Sequence, residues 1–115
     1  MSLAIRKSNI EGKGAFALSD FKKGELILKL NLSHLIDNKK PRKKYVGIIN
    51  GKYYLIQPPE RYVNHSCSPN AYIKNSHYIA KRNIKKGEEI TEDYTKMDKN
   101  FSCKGCNAKN CINIS

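Results

Sequence analysis

The sequence predicts a mainly β domain, and three observations carry that prediction. Leu26, Leu28, Leu30 and Leu32 alternate over seven residues, the period-2 pattern of a half-buried strand. Ile48-Ile49 and Tyr53-Tyr54-Leu55-Ile56 flank Asn50-Gly51, a dipeptide that closes two-residue hairpins. Helical periodicity is sustained nowhere for ten residues.

In chain order, Gly12-Lys13-Gly14 reads as a turn into the apolar Ala15-Phe16-Ala17. Lys22-Lys23-Gly24-Glu25 and Lys85-Lys86-Gly87-Glu88 are two turns of one form, each leading into an apolar strand. Ser33–Asp37 and Lys43–Ile49 hold at most a turn or two of helix. Ala71-Tyr72-Ile73 and Tyr78-Ile79-Ala80, joined by the polar link Lys74-Asn75-Ser76-His77, predict a second hairpin. Short strands, frequent turns and few helices make the fold class mainly β.

A length of 115 residues allows one compact domain. No apolar run approaches the roughly 18 residues that span a bilayer, so a membrane helix is not expected. Charge at Arg6-Lys7 interrupts the start before a secretory h-region could form, and intracellular residence is the expectation. There thiols stay reduced, and four cysteines read as metal ligands or spectators before they read as two disulfides.

The formal net charge of +12 invites nucleic acid as a partner, but only weakly. Lysine outnumbers arginine 18 to 4, and arginine is the bidentate reader of phosphate and guanine. Lys39-Lys40-Pro41-Arg42-Lys43-Lys44 concentrates five cations and reads first as a solvated loop. Glu88, Glu89, Glu92, Asp93 and Asp98 hold half of all ten acids.

Four segments carry chemistry. Gly12-Lys13-Gly14 lets backbone approach a ligand or take positive φ, and is equally an ordinary turn. Arg61-Tyr62-Val63-Asn64-His65-Ser66-Cys67-Ser68-Pro69-Asn70 is dense in polar groups, which also serve as caps and turn formers. It offers no nucleophile with a base and an orienter, which argues against a hydrolytic triad. Tyr94 ends an acidic strand, where amphipathic packing is the alternative to a chemical role. Cys103-x2-Cys106-x4-Cys111 looks like part of a tetrahedral zinc site needing one more ligand, which Cys67, 36 residues upstream, would supply; free surface thiols are the alternative.

In this order the segments resemble the SET-domain family of protein lysine methyltransferases. Gly12-Lys13-Gly14-Ala15-Phe16-Ala17 is similar to that family's first GxG segment, and residues 61–70 to its R-F-x-N-H-S-C-x-P-N block. Ile84-Lys85-Lys86-Gly87-Glu88-Glu89-Ile90-Thr91-Glu92-Asp93-Tyr94 resembles I-x-x-G-E-E-L-T-x-D-Y, and the cysteine tail resembles a post-SET segment. The resemblance implies a fold of small curled β-sheets with few short helices and a C-terminal pseudoknot, in which the N-H-S strand passes beneath a loop. It divides the chain into a SET domain, 1–97, and a zinc-binding tail, 98–115.

It further implies S-adenosylmethionine held by Gly12, Lys13, Gly14, Arg61, Tyr62, Asn64, His65, Tyr94 and Phe101. Tyr94 is the implied catalytic residue, and Zn2+ is implied on Cys67, Cys103, Cys106 and Cys111. The implied partner is a protein presenting a lysine, such as a histone-like basic tail, in the cytoplasm or on chromatin. The chain departs from the pattern twice. The tail begins Cys-x2-Cys rather than Cys-x-Cys, and Glu92 stands where Phe or Tyr is usual. The latter position helps set how many methyl groups are added, so product multiplicity does not carry over. A non-catalytic module, binding protein or nucleic acid through the basic loop and zinc tail, is the alternative reading.

Overall fold

The computed structural model describes residues 3–36 and 46–94. The expected basic loop, residues 39–44, and the expected tail, residues 98–115, lie outside them. Among the described residues the strands are β1 (Leu3–Lys7), β2 (Lys13–Ala17), β3 (Leu26–Lys29), β4 (Val46–Ile49), β5 (Lys52–Leu55), β6 (Asn64–His65), β7 (Ala71–Lys74), β8 (His77–Ala80) and β9 (Glu89–Glu92). A 3-10 turn, Glu60–Tyr62, precedes β6. They form three small sheets, ordered β1-β2-β9-β6, β3-β8-β7 and β4-β5.

Turn chemistry sets much of this layout. Asn50 and Gly51 take φ of 52° and 78°, as a primed hairpin turn requires, and join β4 to β5 in register Ile49↔Lys52. Asn75 and Ser76, at φ 51° and 64°, do the same between β7 and β8, so the link is two residues rather than the four expected. The twin Lys-Lys-Gly-Glu turns are alike in three dimensions. Glu25 N–H donates to Lys22 O and Glu88 N–H to Lys85 O, each at 2.9 Å, with Gly24 and Gly87 near φ 88° between them (87° and 89°). Each delivers the chain into a strand, β3 and β9.

Two expectations fail. The leucine alternation does not mark one buried face, because β3 pairs with β8 through a register shift between Leu26 and Leu28. The extra residue turns Ile27 inward at 5% exposure and leaves Leu26 50% exposed. Helix over Lys43–Ile49 is not formed at its described end; Val46–Ile49 is strand, as β-branched residues favour.

The core draws on all three sheets, from Leu3, Ala15 and Ile90 of the first to Ile27, Ala71 and Tyr78 of the second and Ile49 of the third. Leu3, Ala15, Val63, Ile84 and Ile90 are fully buried in one cluster with Tyr78. Asn70 ties the loop after β6 to β9. Its Oδ1 accepts from Thr91 N at 2.9 Å, its Nδ2 donates to Glu89 O at 2.7 Å and Glu88 Oε2 at 3.0 Å, and its own N–H reaches Thr91 Oγ1 at 3.2 Å. A buried amide satisfied on every side fixes where β9 lies against the chain after β6.

Candidate active site

β6 is only two residues long, and its neighbours hold it. Val63 is buried immediately before it. Asn64 and His65 pair in parallel with Thr91 and Glu92, and Ser66 N–H continues the ladder to Glu92 O at 2.9 Å. Tyr94 follows β9, and its hydroxyl donates to Val63 O. Tyr94 N–H donates to Nδ1 of His65 at 3.0 Å. Residues 89–94 thus clasp residues 63–66.

Because Nδ1 accepts that bond, a neutral His65 carries its proton on Nε2, which lies 3.3 Å from Sγ of Cys67. Burial lowers the His65 pKa, opposed by Asp93, whose Oδ1 is 3.7 Å from Nδ1. The rings of His65 and Tyr94 are tilted by 53°, with centroids 5.5 Å apart. Burial drives the Tyr94 phenol far above its ordinary value, and the charges of Glu92, Glu11 and Glu89 push the same way. The hydroxyl therefore keeps its proton.

On the other side of β6 the amide of Asn64 meets the β1–β2 loop. Nδ2 donates to Glu11 O and Lys13 O, each at 3.1 Å, and to Oε2 of Glu89 at 2.9 Å. Ser8 Oγ lies 2.8 Å from both Glu89 carboxylate oxygens. The two glycines differ in purpose. Gly12 takes φ 46° with open space above it, whereas a Cβ on Gly14 would sit 2.3 Å from Glu89 Oε2.

A cleft of about 680 Å³ opens beside the clasp, its described lining including Ile48, Cys67, Tyr72, Glu92 and Asp93. Glu92 is buried, and its Oε1 accepts from the Tyr78 hydroxyl at 2.7 Å. Burial, with a smaller push from Asp93, raises its carboxyl to about 7 despite the Tyr78 bond.

The structure therefore brings together Gly12, Lys13, Gly14, Asn64, His65, Cys67 and Tyr94. Arg61 and Tyr62 lie in the 3-10 turn just before β6, where Arg61 Nε donates to Ile56 O at 3.0 Å. Phe101, Cys103, Cys106 and Cys111 fall outside the described residues. Ser8, Tyr78 and the separate tasks of Glu89 were missed from the sequence. Their partners stand 81, 14 and 25 residues away, and no local pattern marks them.

The sequence profile of the SET domain matches residues 12–95. The chain belongs to the SET-domain family. It is 30% identical to the variant-silencing SET domain-containing protein of Plasmodium falciparum (isolate 3D7), over 96% of this chain and 6% of that protein. It is 30% identical to human histone-lysine N-methyltransferase 2D over 78% of this chain and 2% of the relative. A Candida glabrata histone-lysine N-methyltransferase, H3 lysine-36 specific, is 32% identical over 81% of this chain and 16% of its own length. The chain thus spans a small part of each relative. Among solved structures, ctPRC2 in an autoinhibited conformation bound to S-adenosylmethionine superposes with TM-score 0.68 at 22% identity, over 81% of this chain and 15% of that one. A humanized mutant of the Chaetomium thermophilum Polycomb Repressive Complex 2, bound to an inhibitor, gives 0.65 at 24%, over 80% and 14%. These likenesses establish the SET fold. They agree with the small sheets and with the scarcity of helix among the described residues.

Proposed function

We propose that this SET domain transfers methyl groups from S-adenosylmethionine to the side-chain amine of a lysine in a protein. One observation carries the reading: the clasp that holds Asn64 against Glu11 O and Lys13 O also brings Tyr94 N–H to His65 Nδ1 and the Tyr94 hydroxyl to Val63 O, beside an acid-lined cleft.

The bound sulfonium supplies an electrophilic methyl group. The chain supplies position, the larger part of such a displacement. With Nδ2 of Asn64 turned to the protein, Oδ1 is the atom its amide offers to the donor's amino group, while backbone of the Gly12–Gly14 loop lies alongside. Arg61, Tyr62 and Phe101 complete the proposed cofactor set. The Tyr94 hydroxyl donates its hydrogen bond to Val63 O, so its oxygen offers acceptor capacity to a substrate N–H. It orients the amine; a phenol this strongly protonated is no general base. A lysine amine has a reference pKa near 10.4, and desolvation in a narrow site lowers it, so the proton leaves to solvent before attack. Asp93 lines the cleft beside the buried Glu92 and favours entry of a cation into a protein of net charge +12.

The donor chemistry around Cys67 fits a structural zinc. Its half-buried thiol sits beside the Nε2–H of His65, the kind of donor that steadies a metal-bound thiolate. Cys103, Cys106 and Cys111 supply the other three ligands in this reading, and residues 98–115 form a zinc-binding tail on a catalytic unit of residues 1–97. The substrate class it favours is a basic, histone-like tail, which puts the protein inside the cell on chromatin. No helix among the described residues is long and apolar enough to cross a membrane.

The test is transfer of label from methyl-labelled S-adenosylmethionine to core histones. Wild type labels lysine, and Tyr94→Phe does not. Label that persists without the Tyr94 hydroxyl overturns its role. Donor binding without transfer to any lysine favours the non-catalytic module.

A further inference from the structure

We propose that Glu89 is a positioning residue, whose carboxylate fixes the side-chain amide of Asn64 with Oδ1 facing a ligand's ammonium group. This rests on the reading of the site above.

A side-chain amide can sit either way round, and its surroundings decide. Here three acceptors crowd one end: Glu11 O, Lys13 O and Glu89 Oε2. Turning the amide over would set Oδ1 against all three. Only two of them are backbone: Glu11 O lies in the β1–β2 loop and Lys13 O at the start of β2, so both depend on that loop being fixed. Ser8 does part of that work, since its N–H reaches Gly12 O at 2.8 Å and its Oγ accepts from Ile10 N at 2.9 Å. The same Oγ lies against both Glu89 oxygens. Glu89 therefore joins the loop, through Ser8, to the amide that reads the loop.

The carboxylate stands on β9 opposite Phe16 of β2, and it reaches Asn64 by lying across Gly14. Any side chain at 14 would displace it. The second glycine of the GxG segment thus makes room for a protein carboxylate rather than for a ligand. A negative charge behind Nδ2 also polarises the amide and increases the acceptor strength of Oδ1. The ligand group this favours is a cation with N–H donors, the α-ammonium of an amino acid.

Calorimetry with two probes separates positioning from mere support. S-adenosylhomocysteine carries the α-ammonium; 5′-methylthioadenosine keeps the nucleoside and lacks the amino-acid part. Glu89→Ala is expected to weaken the first by about tenfold and the second by less than about twofold. Glu89→Gln, whose amide oxygen can still accept from Nδ2, should fall between. Equal losses for both probes, or none for either, overturn the proposal. If the alanine variant fails to fold, Glu89→Gln and Ser8→Ala carry the same comparison. Solvent exchange of the Asn64 Nδ2 protons, followed by NMR without ligand, gives an independent reading. Faster exchange in the variants supports positioning, and unchanged exchange overturns it. A wild-type chain that binds neither probe sinks the cofactor reading, and the exchange rates then decide the role of Glu89 alone.

Discussion

The Tyr78 hydroxyl donates to Oε1 of Glu92 across 2.7 Å, and both side chains are buried. Burial also raises the Tyr78 phenol well above its ordinary value, with the Glu92 charge adding to the shift, so the phenol is the donor at all ordinary pH. The Glu92 carboxyl is thus enclosed and partnered.

Its titration has a sign. The Glu92 carboxyl ordinarily titrates near 4.5 and here near 7, so between these values the folded chain binds more protons than the unfolded one. Stability is fully present below 4.5 and falls as pH rises through about 7, by an amount of order 3 kcal/mol. His65 acts oppositely: its lowered pKa costs stability as pH falls below 6.5. Urea unfolding of wild type and Glu92→Gln from pH 4 to 8 isolates the first effect as a difference between the two curves. A constant difference across that range contradicts it.

Removing only the donor is expected to hurt. Tyr78→Phe should cost about 1–3 kcal/mol, because the Glu92 carboxyl stays buried without its partner. In Tyr78→Phe/Glu92→Gln the losses should not add, giving a coupling of about 0.5–3 kcal/mol in a double-mutant cycle.

Asn70 should be among the least replaceable residues. Asn70→Ala leaves Thr91 N and Glu89 O without partners, at a cost of order 3 kcal/mol in chemical denaturation. Asn70→Asp should be no better, since it sets an acceptor against Glu88 Oε2 and Glu89 O.

Tyr94→Phe should separate rate from binding. Loss of the hydroxyl leaves Val63 O unpaired, worth about 1 kcal/mol of stability. Turnover should fall by about a hundredfold or more, while affinity for S-adenosylhomocysteine changes little. Parallel losses in both quantities would assign Tyr94 to the scaffold.

One zinc per chain is the expected result of metal analysis on reduced protein that has met no chelator. Cys67→Ser should lower that content and the affinity for the ion. A chelator should lower the unfolding temperature of wild type, and protein that never held zinc contradicts the four-cysteine set.

Much of this was legible in the chain itself. Asn50-Gly51 and the twin turns at Gly24 and Gly87 were legible because backbone conformations of positive φ leave few residue choices. Asn64, His65 and Tyr94 were found as members of ordered motifs. The strand containing Ile27 was misread, since one inserted residue reverses the faces that alternation assigns. Glu89, Ser8 and Tyr78 stayed hidden because their importance lies in partners distant in sequence, and a glutamate in a strand carries no mark of the amide it will hold.

The first sheet joins Leu3 on β1, through β2 and β9, to His65 on β6. Its ligand-facing part therefore has no local precursor: Asn64 acquires its setting only after residues from both ends of the described chain have met. Such non-local closure is slow and cooperative. A ligand bound at Asn64 recognises only the fully closed chain and stabilises all of it together, so a change anywhere in the sheet that loosens closure will register as weaker binding.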